Sequence, residues 1–326
     1  MMTGEASIGR LRVPEDFGEV AGVELDYRVV GNGAPVVFLH GGILTSWFEP
    51  VMAEPVLANG YQLISYARSG YAGSSLPETP LTMMGQAACC LALVRHLDLS
   101  PVHLVGHSVG ACIALQTVLE SAAEVASLAL LEPPVMSAAT DPSATIAALR
   151  ATAERWQKGD VAGALDAFMR GMVDPDYEEV LGRVLPDGRA DALRGTPAFF
   201  TTDQHSVQSW KFGAADAARI KQPVLLVLGD RSALVNPIRR QVQDTLLSWM
   251  PHAEVLMVPG ATHLLPLQKP AEIAAGLAAF YQSQRTAYRR LSQVVDANKP
   301  KGHLIVDLER GQPMSVGGGA ADVYRN

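Results

Sequence analysis

The sequence predicts an α/β fold: a doubly wound, mostly parallel sheet with an inserted helical cap. Three observations carry that reading. Short apolar, β-branched runs alternate along the chain with helical stretches. The central runs are apolar on both faces, as strands of a covered parallel sheet must be. The alternation breaks once, between Pro133 and Lys221, where Ala-rich helical pieces and aromatic residues replace any strand pattern.

The strand runs, in order, are Val23 to Val30, Pro35 to His40, Tyr61 to Ala67, Val102 to His107, Val125 to Glu132, Pro223 to Gly229 and Ala253 to Pro259. Helices are expected over Ser46 to Ala58, Leu81 to Leu97, Val109 to Ser121, Pro237 to Met250 and Pro270 to Gln284. Strand–helix alternation of this kind makes a doubly wound sheet. Residues 1–133 and 221–288 are therefore assigned to the core and 134–220 to the cap. Ligands in such sheets bind beyond the carboxyl ends of the strands, so a cap there would roof the site. The last stretch, 289–326, carries Gly302 to Arg310, with room for one short strand. It is read as disordered or as packed on the partner of a homodimer.

Composition narrows the function classes. The net charge of −7, with no long basic run, argues against a nucleic-acid partner. No window holds the roughly 20 apolar residues of a membrane span, and Met1 to Arg12 lacks a signal-peptide pattern. Cys89, Cys90 and Cys112 cannot form a disulfide framework. A cytoplasmic protein with a small-molecule substrate is the expectation. No pair of histidines has metal-ligand spacing, so neither a metal nor another cofactor is implied.

Chemistry is carried first by Gly106-His107-Ser108-Val109-Gly110, a G-x-S-x-G motif between a buried-type strand and an amphipathic helix. Reversal within one residue forces Ser108 into a strained conformation, and glycines on either side let strand and helix approach. Its hydroxyl is then presented at a helix N-terminus, where developing negative charge is favoured. The alternative is a tight turn whose serine caps the helix.

Together with His40-Gly41-Gly42, Tyr66 to Ser75 and the segment from Pro259 to Pro270, this motif resembles the α/β-hydrolase superfamily. The resemblance spans roughly Val23 to Tyr281 and is specific for fold rather than substrate. It implies Ser108 as nucleophile and the backbone N–H groups of Gly42 and Val109 as oxyanion donors. Among the eight histidines, His263 follows a strand at its carboxyl end and is the expected base. His96, His103 and His252 fall at the wrong ends of their elements, and His107 should point away from the nucleophile. His205 and His303 are read as surface residues.

The acid is the open question. In most of the superfamily it stands three residues after the glycine ending the strand that Pro223 to Gly229 matches, and here that residue is Ser232. A serine cannot stabilise imidazolium, and loss of the acid costs on the order of 10⁴ in turnover. Glu132, at the carboxyl end of the strand beside the one bearing Ser108, is the first candidate. Asp230 is the alternative, and a site without an acid is the third reading. Trp47 and Trp210 are candidates for the substrate pocket, with core packing the alternative for each.

The resulting expectation is a serine hydrolase acting on a small or medium carboxylic ester or lactone. The alternatives are a C–C bond hydrolase or lyase on the same Ser/His pair, and a non-catalytic ligand-binding member of the fold. A serine at the elbow argues against the carboxylate-nucleophile chemistry of dehalogenases and epoxide hydrolases.

Overall fold

The computed structural model describes residues 6–297, 305–306 and 313–314, with side chains over 6–284. Eight strands form one sheet: β1 (Ser7–Arg12), β2 (Glu24–Val30), β3 (Ala34–Leu39), β4 (Tyr61–Tyr66), β5 (Val102–His107), β6 (Val125–Leu131), β7 (Val224–Gly229) and β8 (Glu254–Val258). Their order is β1-β2-β4-β3-β5-β6-β7-β8. β1 and β2 run antiparallel, as do β2 and β4, and the remaining pairs are parallel. The doubly wound, mostly parallel α/β sheet expected from the sequence is present.

The central strands hold because both faces are covered. Every residue of β7 is buried, and so is all but one of β5 and of β6. The helices Met83–His96 and Val109–Glu120 supply part of that cover, and both contribute to the apolar core. Chain reversals at the carboxyl ends of β3, β5, β6 and β8 all open on the same end of the sheet.

Two features depart from the expected elements. β1 was not expected: Ile8 is 80% exposed and Leu11 is its one buried residue, so its sequence lacks a core signature. The stretch Ser46 to Ala58 is not one helix but a 3₁₀ turn, Ser46–Phe48, followed by the short helices Glu49–Met52 and Pro55–Ala58. Pro55 has no N–H to offer and drives Glu54 to an extended ψ of 128°, which breaks the helix there.

Between β6 and β7 the described chain is helical throughout its regular elements. These include Ser143–Gln157, Val161–Phe168, Tyr177–Val184, Gly188–Ala198 and Gln204–Ser209. Two π-helical turns interrupt them, Met169–Val173 and Phe199–Asp203. By contact the chain divides into the units Met1–Phe280 and Tyr281–Asn326. Within the second, Ile305–Val306 pairs antiparallel with Pro313–Met314. The rest of the tail beyond residue 297 lies outside the described residues. Among the described residues, no helix is long and apolar enough to cross a membrane.

Candidate active site

The site begins at the end of β5. Ser108 has φ 53° and ψ −126°, a left-handed backbone that a side-chain-bearing residue adopts only at a cost of order 1–3 kcal/mol. The helix Val109–Glu120 starts at the next residue. A methyl group on Gly106 would collide with the backbone of Gly110 and Ala111, and one on Gly110 with the carbonyls of Leu39 and His40. Only glycine lets β5, the helix and the end of β3 meet this closely. The turn is tied to its neighbour by the Ser108 N–H, which donates to Leu131 O at 2.9 Å.

Glu132 follows immediately after β6 and repeats the device, with φ 50°. Its carboxylate is fully buried and completely engaged. Oε1 accepts from the Gly229 N–H at 2.8 Å and from the Ser232 hydroxyl at 2.5 Å. Oε2 accepts from His263 Nδ1 at 2.6 Å. That bond fixes the imidazole tautomer and leaves Nε2 with its lone pair. Ser232, at the position where the superfamily resemblance places an acid, therefore serves as a donor to Glu132.

The alternative acid, Asp230, is placed elsewhere. It is exposed, and its Oδ1 accepts from the Gly260 N–H at 2.7 Å. With Asp230 N–H donating to Val258 O at 3.1 Å and Arg231 N–H to Ala261 O at 3.0 Å, it clasps the turn that delivers His263. Its carboxylate is thus committed to loop geometry and not to the imidazole, because it leaves the strand two residues before the side chain that points inward.

His263 is 3% exposed. Burial pushes its imidazole well below the ordinary value near 6.5, and the Arg239 guanidinium adds to the effect. His107 does not stand apart from the site. Its ring lies 4.5 Å from that of His263, and its Nε2 is 3.0 Å from His263 O, so it packs directly against that residue.

On the other side of Ser108, the segment after β3 is held carbonyl by carbonyl. Arg68 Nε donates to His40 O at 3.2 Å, Arg68 Nη2 to Gly41 O at 3.0 Å, and Trp47 Nε1 to Gly42 O at 2.8 Å. Among the described residues no acceptor takes the Gly42 N–H. Val109, at the first position of its helix, likewise has no intrahelical acceptor for its N–H. Ile43, next in line, has φ 73°, a strained conformation for a β-branched residue.

A cavity of about 90 Å³ opens over Ser108, His263 and Glu132. The helical insertion supplies much of its wall, including Phe168, Met172 and Phe199. Neither Trp47 nor Trp210 borders it, contrary to the sequence expectation. Trp47 is 2% exposed against His107, with its indole spent on Gly42 O. Trp210 stacks on Phe212 and donates to Gln116 Oε1 at 2.8 Å. Large aromatics near a motif in sequence are as readily drawn into packing as into a pocket.

Two groups near the site were missed by sequence reasoning. One is the buried ion pair of Arg68 with Asp203, at 2.6 Å, which joins the segment after β3 to the insertion. Tyr71 OH adds a bond to Asp203 Oδ2 at 2.6 Å. The other is Arg239, at the start of the helix Ile238–Trp249, whose Nη1 lies 3.3 Å from His263 Nε2 and 3.4 Å from Glu132 Oε2. Arg239, on an amphipathic helix, reads as surface charge, and nothing in the stretch from Tyr66 to Ser75 marks Arg68 as buried and paired. Among the described residues no cluster of three or more His, Cys, Asp or Glu is arranged to hold a metal ion.

With this geometry in view, comparison with known proteins defines the class. The chain belongs to the alpha/beta hydrolase family, whose model matches residues 36–276. It is 26% identical over 315 residues to epoxide hydrolase A of Mycobacterium tuberculosis, covering 82% of this chain and 96% of that one. Among solved structures it resembles a thermophilic esterase from Thermogutta terrifontis, with TM-score 0.71 and 17% identity over 85% of this chain and 99% of the other. The enol-lactonase from Burkholderia xenovorans LB400 is also similar, with TM-score 0.68 and 19% identity over 80% and 97% of the two chains.

Proposed function

We propose that the protein is a serine hydrolase that cleaves a small or medium carboxylic ester or lactone through an acyl-enzyme. The observations that carry this reading are that Ser108, on its strained turn, and His263 line one cavity, and that His263 Nδ1 lies 2.6 Å from Oε2 of the fully buried Glu132. The serine hydroxyl attacks the acyl carbonyl as His263 Nε2 takes its proton. Glu132 holds the imidazole in the required tautomer and stabilises the imidazolium that forms. The N–H groups of Gly42 and Val109 bind the oxyanion. His263 then protonates the leaving alkoxide, and water, deprotonated by the same imidazole, releases the acid.

The apolar wall of the cavity, to which Phe168, Met172 and Phe199 contribute, favours an acyl group of some hydrophobicity. The esterase and enol-lactonase among the structural neighbours are in keeping with an acyl substrate. Epoxide chemistry, suggested by the name of one relative, is disfavoured because the elbow carries a hydroxyl and not a carboxylate.

The test uses a fluorophosphonate probe and short p-nitrophenyl esters. Stoichiometric labelling of Ser108 and ester turnover, both lost in Ser108→Ala, are expected. A folded protein that is neither labelled nor active would refute the reading. Labelling without ester turnover, but with cleavage of a diketone, would move it to a C–C bond hydrolase.

A further inference from the structure

Arg239 stands where a serine hydrolase of neutral esters has no use for it. Its Nη1 approaches His263 Nε2, the nitrogen that must accept the proton of Ser108. A guanidinium there competes with the serine hydroxyl for the same lone pair. It also opposes protonation of the ring, which is the event that general-base catalysis requires.

The groups facing His263 do not neutralise it. Glu132 carries a single charge, and its oxygens already accept from Gly229, Ser232 and His263 at 2.5–2.8 Å, whereas Arg239 stays 3.4 Å away. When the imidazole is protonated, that one carboxylate faces two cations. His107, packed on the ring, is neutral, because burial holds its imidazole well below the ordinary range. Asp203 lines the same cavity, but its oxygens are taken by Arg68 and Tyr71.

The guanidinium itself is incompletely used. Its side chain is 10% exposed, Nη2 donates to Met172 O at 2.5 Å, and Nε is buried with no acceptor. A buried donor without a partner is costly and calls for one. Arg239 borders the cavity that holds Ser108 and His263.

We infer that Arg239 is the recognition site for a carboxylate on the substrate, so that the preferred substrate is the half-ester or carboxy-lactone of a short dicarboxylic acid. This rests on the hydrolase reading above and names its substrate class. A planar, two-oxygen anion matches the guanidinium fork. Drawing the guanidinium toward the anion releases His263 Nε2 to Ser108 and balances the imidazolium charge. Because Nη1 touches the nitrogen that serves Ser108, the carboxylate lies within a few bonds of the scissile carbonyl.

The experiment compares monomethyl glutarate with methyl valerate, of equal chain length, by methanol release. Wild type is expected to show kcat/KM at least about tenfold higher for the half-ester, as a charge-assisted contact would give. In Arg239→Met the half-ester should lose roughly 10²-fold and the neutral ester should gain. The acid limb of its kcat/KM profile should move up toward the ordinary histidine value near 6.5. Arg239→Lys, which keeps the cation, should retain part of the preference. Preference of wild type for methyl valerate would overturn the inference while leaving the hydrolase reading intact. So would an equal loss on both esters in Arg239→Met with the acid limb unmoved. Hydrolysis of neither ester by a protein that fluorophosphonate labels would also overturn it. Failure of Ser108 to label would instead strike at the reading beneath.

Discussion

At the scale of single residues, the site is built from backbone that the chain would not adopt freely. Ile43, Ser108 and Glu132 all have positive φ, and all three stand at turns just beyond strand ends. Such strain persists only where the surroundings over-determine it, and it collects where side chains must be aimed. Glu132 is the instructive case. Its neighbour in space, Ser232, sits with its hydroxyl 2.5 Å from Oε1, so the two positions from which an acid could serve His263 converge on one point. Glu132→Gln is expected to lower kcat by roughly 10²–10⁴ with little change in KM, whereas Asp230→Asn should turn over near the wild-type rate. Steady-state kinetics on one ester compares the two directly. The exchange Glu132→Ser with Ser232→Asp should recover at least about tenfold over Glu132→Ser alone, since a carboxylate at either position addresses the same imidazole nitrogen.

At the scale of elements, the junction between the insertion and the sheet is electrostatic. Arg68 is buried, and burial opposes its charge, yet the Asp203 carboxylate holds its pKa above the ordinary value. Through this pair the π-helical turn Phe199–Asp203 is fastened to the carbonyls of His40 and Gly41. Removing one partner strands the other charge in the interior, so Asp203→Leu or Arg68→Met alone should cost about 3–5 kcal/mol, and the double replacement should recover much of it. Urea unfolding of the three variants measures this. The strand–helix alternation, the tight turn at Ser108 and the placing of Glu132 and His263 beyond the carboxyl ends of their strands were legible because they rest on local pattern: apolar runs, glycine spacing and position at strand ends. What stayed illegible depends on contacts far apart in sequence. Arg68 and Asp203 are separated by 135 residues, and nothing local marks either as buried. β1 escaped for the opposite reason, because an edge strand with one buried residue carries little hydrophobic signal. Trp47 and Trp210 misled because aromatic character alone does not say whether a ring faces a cavity or a core.

At the scale of the whole molecule, the buried histidines couple the fold to pH. Burial pushes His40, His107 and His263 well below 6.5, and brings His103 to about 4. Each is neutral when folded and takes a proton more readily when unfolded. The unfolded chain therefore binds more protons below about pH 6.5, and the stability these groups contribute above that pH is lost as pH falls toward their folded values. Each adds at most about 1.4 kcal/mol per pH unit to the slope. The urea midpoint should therefore drop between pH 7 and pH 5, and His103→Gln should make that drop shallower. A midpoint flat across this range would contradict the burial of these rings.

The meeting of Glu132 and Ser232 reaches beyond this chain. An alignment column that demands a carboxylate after β7 would score the protein as lacking one, although Glu132 offers a carboxylate to the same imidazole from the neighbouring strand. A lineage can carry the carboxylate on either strand without shifting the imidazole, because Ser232 Oγ already sits 2.5 Å from the Glu132 carboxylate that faces the ring. Kin that carry serine in that column are best sorted by what ends their sixth strand.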